Sequence, residues 1–120
     1  MTESKTNSRE AIPSDRSSPL IGLIAVAEGA VVSRVLAQSG GGNVTLFAFD
    51  RNQGLSEHTA PFDALVQVVD GRLELKIGDH EVTVAPGEVV LMPAHVPHAL
   101  HAPERCRMVL TMLREPGKGE

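Results

Sequence analysis

The residues of this 120-residue chain that are best suited to chemistry are its five histidines. Imidazole is a common metal ligand and general base, and His95, His98 and His101 lie close together in the sequence. In an extended strand only residues two apart share a face, so His95 and His101 are predicted to point away from His98. His80 follows a Gly78–Asp79 turn and is predicted to lie at the surface. The density of histidines therefore does not by itself define a ligand cluster.

Other chemistries are poorly supported by the composition. Cys106 is the only cysteine, which excludes an internal disulfide and a thiolate-rich zinc site. We expect it to be a small core residue, whose burial would raise the pKa of its thiol. A net charge of −4, with no Trp and no Tyr, argues against nucleic-acid binding. No phosphate loop, dinucleotide fingerprint or Gly-x-Ser-x-Gly elbow is present, and no residue is assigned as catalytic.

The elements that must position the histidines are predicted to be strands. From residue 31 onward, apolar residues alternate with polar ones and are interrupted by turn residues, which predicts many short antiparallel strands. Strands of this kind form sandwiches or barrels, and an eight-stranded jelly roll fits best. The predicted strands with the clearest bounds are Val44–Asp50, Ala64–Val69, Arg72–Ile77, Glu88–Met92 and Arg105–Leu113, with a further strand through Val82 and Val84.

The chain is predicted to contain one domain, residues 19–115, between a polar leader and a tail. Residues 1–18 are Ser-rich and charged, so we expect a mobile leader, and residues 116–120 form the tail. The apolar run Leu20–Ala27 is the only segment with helical spacing. It is too short to cross a bilayer, which needs ~20 residues. Acidic residues in the leader argue against a secretory signal, so the predicted location is cytoplasmic, without a membrane partner.

One segment resembles the first of two paired motifs of the cupins, a family of small double-stranded β-helix barrels. That motif reads Gly-x5-His-x-His-x3–4-Glu-x6-Gly. Gly54, His58 and Gly71 match it, although His58 comes early. Ala60 stands where the motif has its second His, and Ala64 stands where it has its Glu. The segment therefore lacks two of the family's metal ligands.

A later segment resembles the second cupin motif, which reads Gly-x5-Pro-x-Gly-x2-His-x3-Asn. Gly87, Pro93 and His98 fall in register with it. His95 occupies the position of the motif's second glycine, and Ala102 occupies that of its Asn. The metal-binding histidine of this motif is thus retained as His98.

The resemblance covers roughly residues 40–113 and implies an all-β, double-stranded β-helix, the cupin-type jelly-roll barrel. A full cupin site holds Fe, Mn, Ni or Zn with three His and one Glu, so the resemblance implies a divalent transition metal held by His58 and His98. Gln67, the one polar residue of its apolar strand, either serves as a further ligand or bonds across a half-exposed face. Asp63 would enter the barrel only if its strand bulged.

Three functions fit these features. The favoured one is divalent-metal binding at the barrel mouth through two histidines, with the reaction, if any, unknown. The second is a metal-free pocket for a small-molecule ligand, oriented by the same histidines. The third is a regulatory or structural homodimer without catalytic activity, with strands exchanged through the apolar region Leu20–Leu36, and a homodimer is expected in any case. The candidate wall residues of the pocket are Leu46, Phe47, Leu65, Met92, Leu110 and Met112.

Overall fold

A computed structural model describes residues 12–114. Most of the predicted leader and all of the predicted tail lie outside the described residues. Residues 12–19 contain no helix or strand, and Leu20–Gly22 forms a single 3₁₀ turn. The strands are β1 (Val31–Ser39), β2 (Gly42–Phe49), β3 (Gly54–His58), β4 (Asp63–Asp70), β5 (Leu73–Ile77), β6 (His80–Val84), β7 (Val89–Met92), β8 (His98–His101) and β9 (Cys106–Leu113).

The strands form two antiparallel sheets, which confirms the predicted all-β class. The first sheet has the order β1-β2-β9-β4-β7, and the second has the order β3-β8-β5-β6. The inner faces of both sheets contribute to one apolar core, in which Phe49, Leu73, Met108 and Val66 are fully buried. Burial of this apolar surface is the main force that holds the two sheets together.

The outer face of the first sheet carries a second apolar cluster. Leu36, Leu46 and Val109 are buried there, and Leu23 and Ile24 pack against them. The apolar run predicted to have helical spacing therefore forms a 3₁₀ turn at Leu20–Gly22, and its Leu23 and Ile24 help to cover this sheet. Among residues 12–114, no helix has the length and apolar character needed to cross a membrane.

Two expected wall residues of the barrel lie on this outer face instead. Leu46 belongs to the outer cluster, and Leu65 alternates with the core residues Ala64 and Val66. The prediction was wrong for both because their strands are apolar on both faces, so alternation alone did not show which face points inward. The other wall candidates, Phe47, Met92, Leu110 and Met112, pack in the core or against it.

The turn between β4 and β5 requires glycine. Gly71 has a φ of 79°, and a Cβ at this position would clash with the carbonyl oxygen of Arg105. The turn brings the end of β4 against the start of β9, where Asp70 pairs with Arg107 in the strand register.

Candidate metal site

The two motif histidines meet where β3 ends and β8 begins. His58 and His98 are direct partners in the register of these strands, which shifts between Leu55 and His58. Their Nε2 atoms are 3.1 Å apart. The rings meet edge to face, with centroids 4.4 Å apart and an interplanar angle of 77°. Two residues separated by 40 positions in sequence are thus brought into contact by strand pairing.

The two rings differ in exposure. His98 is 5% exposed and faces inward, like Leu100 two residues later, whereas His58 is exposed. Desolvation lowers the pKa of His98, and the neighbouring His58 lowers it further, while the hydrogen bond to Val96 opposes the shift. The buried ring is therefore held in its neutral form.

Both Nδ1 atoms are engaged by backbone carbonyls. His58 Nδ1 lies 2.8 Å from the Ser56 oxygen, and His98 Nδ1 lies 3.2 Å from the Val96 oxygen. A carbonyl oxygen only accepts hydrogen bonds, so each Nδ1 must carry the proton that it donates. In the neutral rings, this assignment leaves a lone pair on each Nε2, and the two lone pairs face each other. The same carbonyl contact fixes the tautomer of many metal-binding histidines.

Such a pair fits a shared metal ion in its distances and donor atoms. With metal–nitrogen bonds of about 2.1 Å, a nitrogen separation of 3.1 Å corresponds to a ligand angle of about 95°. That angle lies between the tetrahedral value and a right angle. Within residues 12–114, no group of three or more His, Cys, Asp or Glu side chains is arranged to hold a metal. Within the described part of the chain, His58 and His98 would therefore be the protein ligands, and water or a small molecule would complete the coordination of an ion.

The structure does not bring Gln67 to the histidine pair. Gln67 is exposed on the outer face of β4, where its register partners are Val89 on β7 and Val109 on β9. Its strand follows strict alternation, so the inward positions are taken by Ala64 and Val66. The position of Gln67 agrees better with the second alternative, a residue on a half-exposed face, than with the role of a metal ligand.

The position of the missing family carboxylate is apolar. Ala64 is 5% exposed and lies between Met92 and Met112 in the strand register. Asp63, one residue earlier, is exposed, and its Oδ1 accepts a hydrogen bond from the Ala94 amide at 2.8 Å. Asp63 is therefore engaged with the backbone.

The remaining histidines and the cysteine lie apart from the pair. His80 is exposed at the start of β6, and the exposed His101 lies 3.1 Å from Glu74. Cys106 is fully buried, and burial, with smaller contributions from neighbouring carboxylates, raises the pKa of its thiol to about 12. These placements agree with the predictions, which came from the Gly78–Asp79 turn for His80 and from strand alternation for His101 and Cys106.

His95 has a conformation that sequence periodicity did not predict. Its φ is 66°, in the left-handed region that favours glycine. This is the position where the second cupin motif has glycine, so the motif itself was the signal that could have identified it. The His95 amide donates to the Ala60 carbonyl at 2.7 Å, which joins the segment after His58 to the segment before His98.

Comparisons with known proteins agree with this architecture. The family model described as the cupin domain matches residues 45–113, more than half of the chain. The chain therefore belongs to the cupin family. No curated protein gives a significant match.

Solved structures extend the similarity over most of the chain. A conserved protein of unknown function from Streptococcus pyogenes is 30% identical, with a TM-score of 0.83 over 89% of this chain and 94% of that one. A cupin superfamily protein from Desulfitobacterium hafniense is also 30% identical, with a TM-score of 0.83 over 89% and 98% of the two chains. A cupin 2 conserved barrel domain protein from Leptotrichia buccalis is 31% identical, with a TM-score of 0.74 over 78% of this chain and 45% of that one.

Proposed function

We propose that this cupin binds one divalent transition-metal ion between β3 and β8, through His58 Nε2 and His98 Nε2. The observation that supports this most directly is the contact between the two Nε2 atoms, which are 3.1 Å apart. Each Nδ1 already donates to a carbonyl, so neither neutral ring has a proton left to place between the two nitrogens. A cation between them converts this repulsion into two bonds.

A proton shared between the two Nε2 atoms would also remove the repulsion between their lone pairs. It would place positive charge beside His98, whose burial already disfavours the charged form. A metal ion supplies the positive charge without protonating either ring, and both rings can bind it as neutral ligands. Both a proton and a metal ion would separate the lone pairs, so the two are distinguished by metal analysis.

The donor set narrows the choice of metal. Imidazole nitrogen suits Zn, Fe and Ni, whereas Mn prefers carboxylate and water oxygens. Ala64 replaces the family's carboxylate ligand, so we favour Zn, Fe or Ni among the four metals expected. His58 and His98 would hold such an ion, and the chemistry it would supply is polarisation of an oxygen of a small ligand. The chain's own part is to hold the two nitrogens in place and to keep His98 away from water.

Metal analysis of untagged protein tests the proposal. Protein stripped with a chelator and then dialysed against zinc should take up one equivalent. His58→Ala and His98→Ala should each lose zinc affinity by more than the roughly 10–100-fold that the loss of a supporting residue costs. His101→Ala is the matched control, because it removes an exposed histidine that pairs with Glu74.

Two results would overturn the proposal. One is wild-type protein that takes up less than about a tenth of an equivalent of zinc, iron or nickel at saturation. The other is His98→Ala protein that binds as much metal, and as tightly, as the wild type. Either result would favour the metal-free pocket or the regulatory homodimer. The homodimer itself, and the cytoplasmic location, stay predictions, and sedimentation would test the former.

A further inference from the structure

Asp63 stands at the start of β4 and reaches across to a segment 31 positions away in sequence. Its Oδ1 accepts the Ala94 amide proton at 2.8 Å. A carboxylate that accepts from a backbone amide forms a charge-assisted hydrogen bond, which is stronger than a bond between neutral groups. Asp63 is exposed, but its carboxylate therefore makes a specific bond to the segment that contains Ala94.

A second hydrogen bond runs beside the first. The His95 amide donates to the Ala60 carbonyl at 2.7 Å. Ala60 and Asp63 follow His58 in the chain, and Ala94 and His95 precede His98. The two bonds therefore join the segments that carry the two histidines.

The joined segment leads directly to the carbonyl that orients His98. After Ala94 the chain passes through the left-handed residue His95 to Val96, whose carbonyl oxygen lies 3.2 Å from His98 Nδ1. The position of this carbonyl decides which ring nitrogen is protonated and where Nε2 points. A shift of the segment at Ala94 would therefore move the acceptor that sets the tautomer of His98.

We infer that Asp63 is a positioning residue for the histidine pair, and that it acts through the Ala94 amide and not as a metal ligand. The inference rests on the proposed function for one expected result, the loss of zinc affinity. The hydrogen bonds from which it is argued lie within the chain and do not depend on metal binding. It also explains why an acidic residue next to the missing carboxylate ligand need not replace that ligand.

Two substitutions separate the hydrogen bond from the charge. Asp63→Asn keeps an oxygen that can accept from Ala94, whereas Asp63→Ala removes it. Glu88→Ala is the matched control, because Glu88 Oε1 accepts from the Ala85 amide at 2.9 Å in a different turn. Each variant is compared with the wild type by zinc affinity, by hydrogen exchange of the Ala94 amide, and by the ¹⁵N chemical shifts of the His98 ring in metal-free protein.

We expect Asp63→Ala to lower zinc affinity by about 10-fold or more. Its Ala94 amide should exchange faster, and its His98 ring should populate both tautomers. Asp63→Asn should lose much less affinity than Asp63→Ala, because its amide oxygen still accepts from Ala94. It should keep the Nδ1-protonated ring, and Glu88→Ala should leave all three readouts unchanged.

Each contrary result has a distinct meaning. Equal loss of zinc affinity in Asp63→Asn and Asp63→Ala would overturn the inference, because the charge would then matter more than the hydrogen bond. Unchanged exchange and tautomer in Asp63→Ala would overturn it as well. If wild-type protein bound no zinc, the proposed function would fail, and the two metal-free readouts would still decide whether Asp63 orients His98.

Discussion

Two polar clusters, one at the end of β4 and one between β3 and β8, differ in how their hydrogen bonds are matched. At the end of β4, Asp70 accepts from the Arg107 amide at 2.9 Å and from its Nη1 at 2.8 Å. Beside it, Asp50 accepts from the Gly29 amide at 2.6 Å and from Arg105 Nε at 2.9 Å. In this Asp–Arg cluster every contact joins a donor to an acceptor, and opposite charges compensate each other.

The histidine pair between β3 and β8 lacks this match. Each ring donates through Nδ1, and the two Nε2 atoms then meet as acceptors. A polar cluster with all its bonds satisfied stabilises the fold, whereas two acceptor atoms that face each other are suited to bind a cation. The difference is consistent with a structural role for the Asp–Arg cluster and with the metal-binding role that we propose for the histidines.

Zinc should stabilise the protein only through the histidine pair. At a free zinc concentration ~100 times its Kd, the free energy of unfolding should rise by about 2.7 kcal/mol. His98→Leu should gain nothing from zinc, because its apolar side chain cannot bind the ion. Urea denaturation with and without zinc measures both values. An equal increase in the free energy of unfolding of His98→Leu would show that zinc does not act through the histidine pair.

Loss of a partner in the Asp–Arg cluster should destabilise the protein even without metal. Asp70→Ala leaves the Arg107 guanidinium, whose side chain is 19% exposed, without its carboxylate. We expect the free energy of unfolding to fall by about 2 kcal/mol, since partial exposure reduces the cost of a fully buried charge. Asp15→Ala, in an ion pair exposed on both sides, should change it by less than about 0.5 kcal/mol. Similar urea midpoints for the two variants would contradict the structural role.

The Asp–Arg cluster should also make the thermal stability of the protein depend on pH in the acidic range. The Gly29 and Arg51 amides and the Arg105 side chain lower the pKa of Asp50 from 3.8 to about 2. A carboxyl with a lowered folded-state pKa contributes stability that is complete above its unfolded value and is lost as the pH falls through the folded one. Between about pH 4 and pH 2, thermal stability should therefore fall less steeply in Asp50→Asn than in the wild type. Identical slopes would show that Asp50 makes no such contribution.

The smallest effect is expected at His95, in the segment that precedes His98. Its φ of 66° strains a residue with a Cβ, so His95→Gly should raise the free energy of unfolding by about 0.5 kcal/mol. Ala94→Gly is the control at a residue without a positive φ, and it should lower that energy by a similar amount. A loss of stability in His95→Gly would mean that the imidazole makes a contact worth more than the strain.

Much of the fold could be predicted from local patterns. Leu73, Leu75 and Ile77 alternate with charged residues, and the structure places Leu73 and Leu75 in the core. Cys106 and Met108 likewise face inward, as alternation predicted. Alternation failed at Leu46 and Leu65, because the outer face of the first sheet is also apolar and is partly covered by the segment before β1.

The site could be predicted only in part. His98 was identified by its register in the second motif, and His58 by its place in the first. Gln67 was singled out as the one polar residue of its strand, yet it lies on the exposed face. The hydrogen bond from Ala94 to Asp63 had no signal in the sequence, because it joins an exposed side chain to a backbone amide 31 positions away.

By itself, the sequence determined which residues could share a face, because side chains alternate at every residue of a strand. It also determined the all-β class, the burial of Cys106 and the candidacy of His58 and His98. Only the tertiary structure decided that β3 pairs with β8, so that two imidazoles 40 positions apart meet through Nε2. Strand order and register depend on how distant strands pack and hydrogen-bond together, and those energies are not written in any local stretch of the chain.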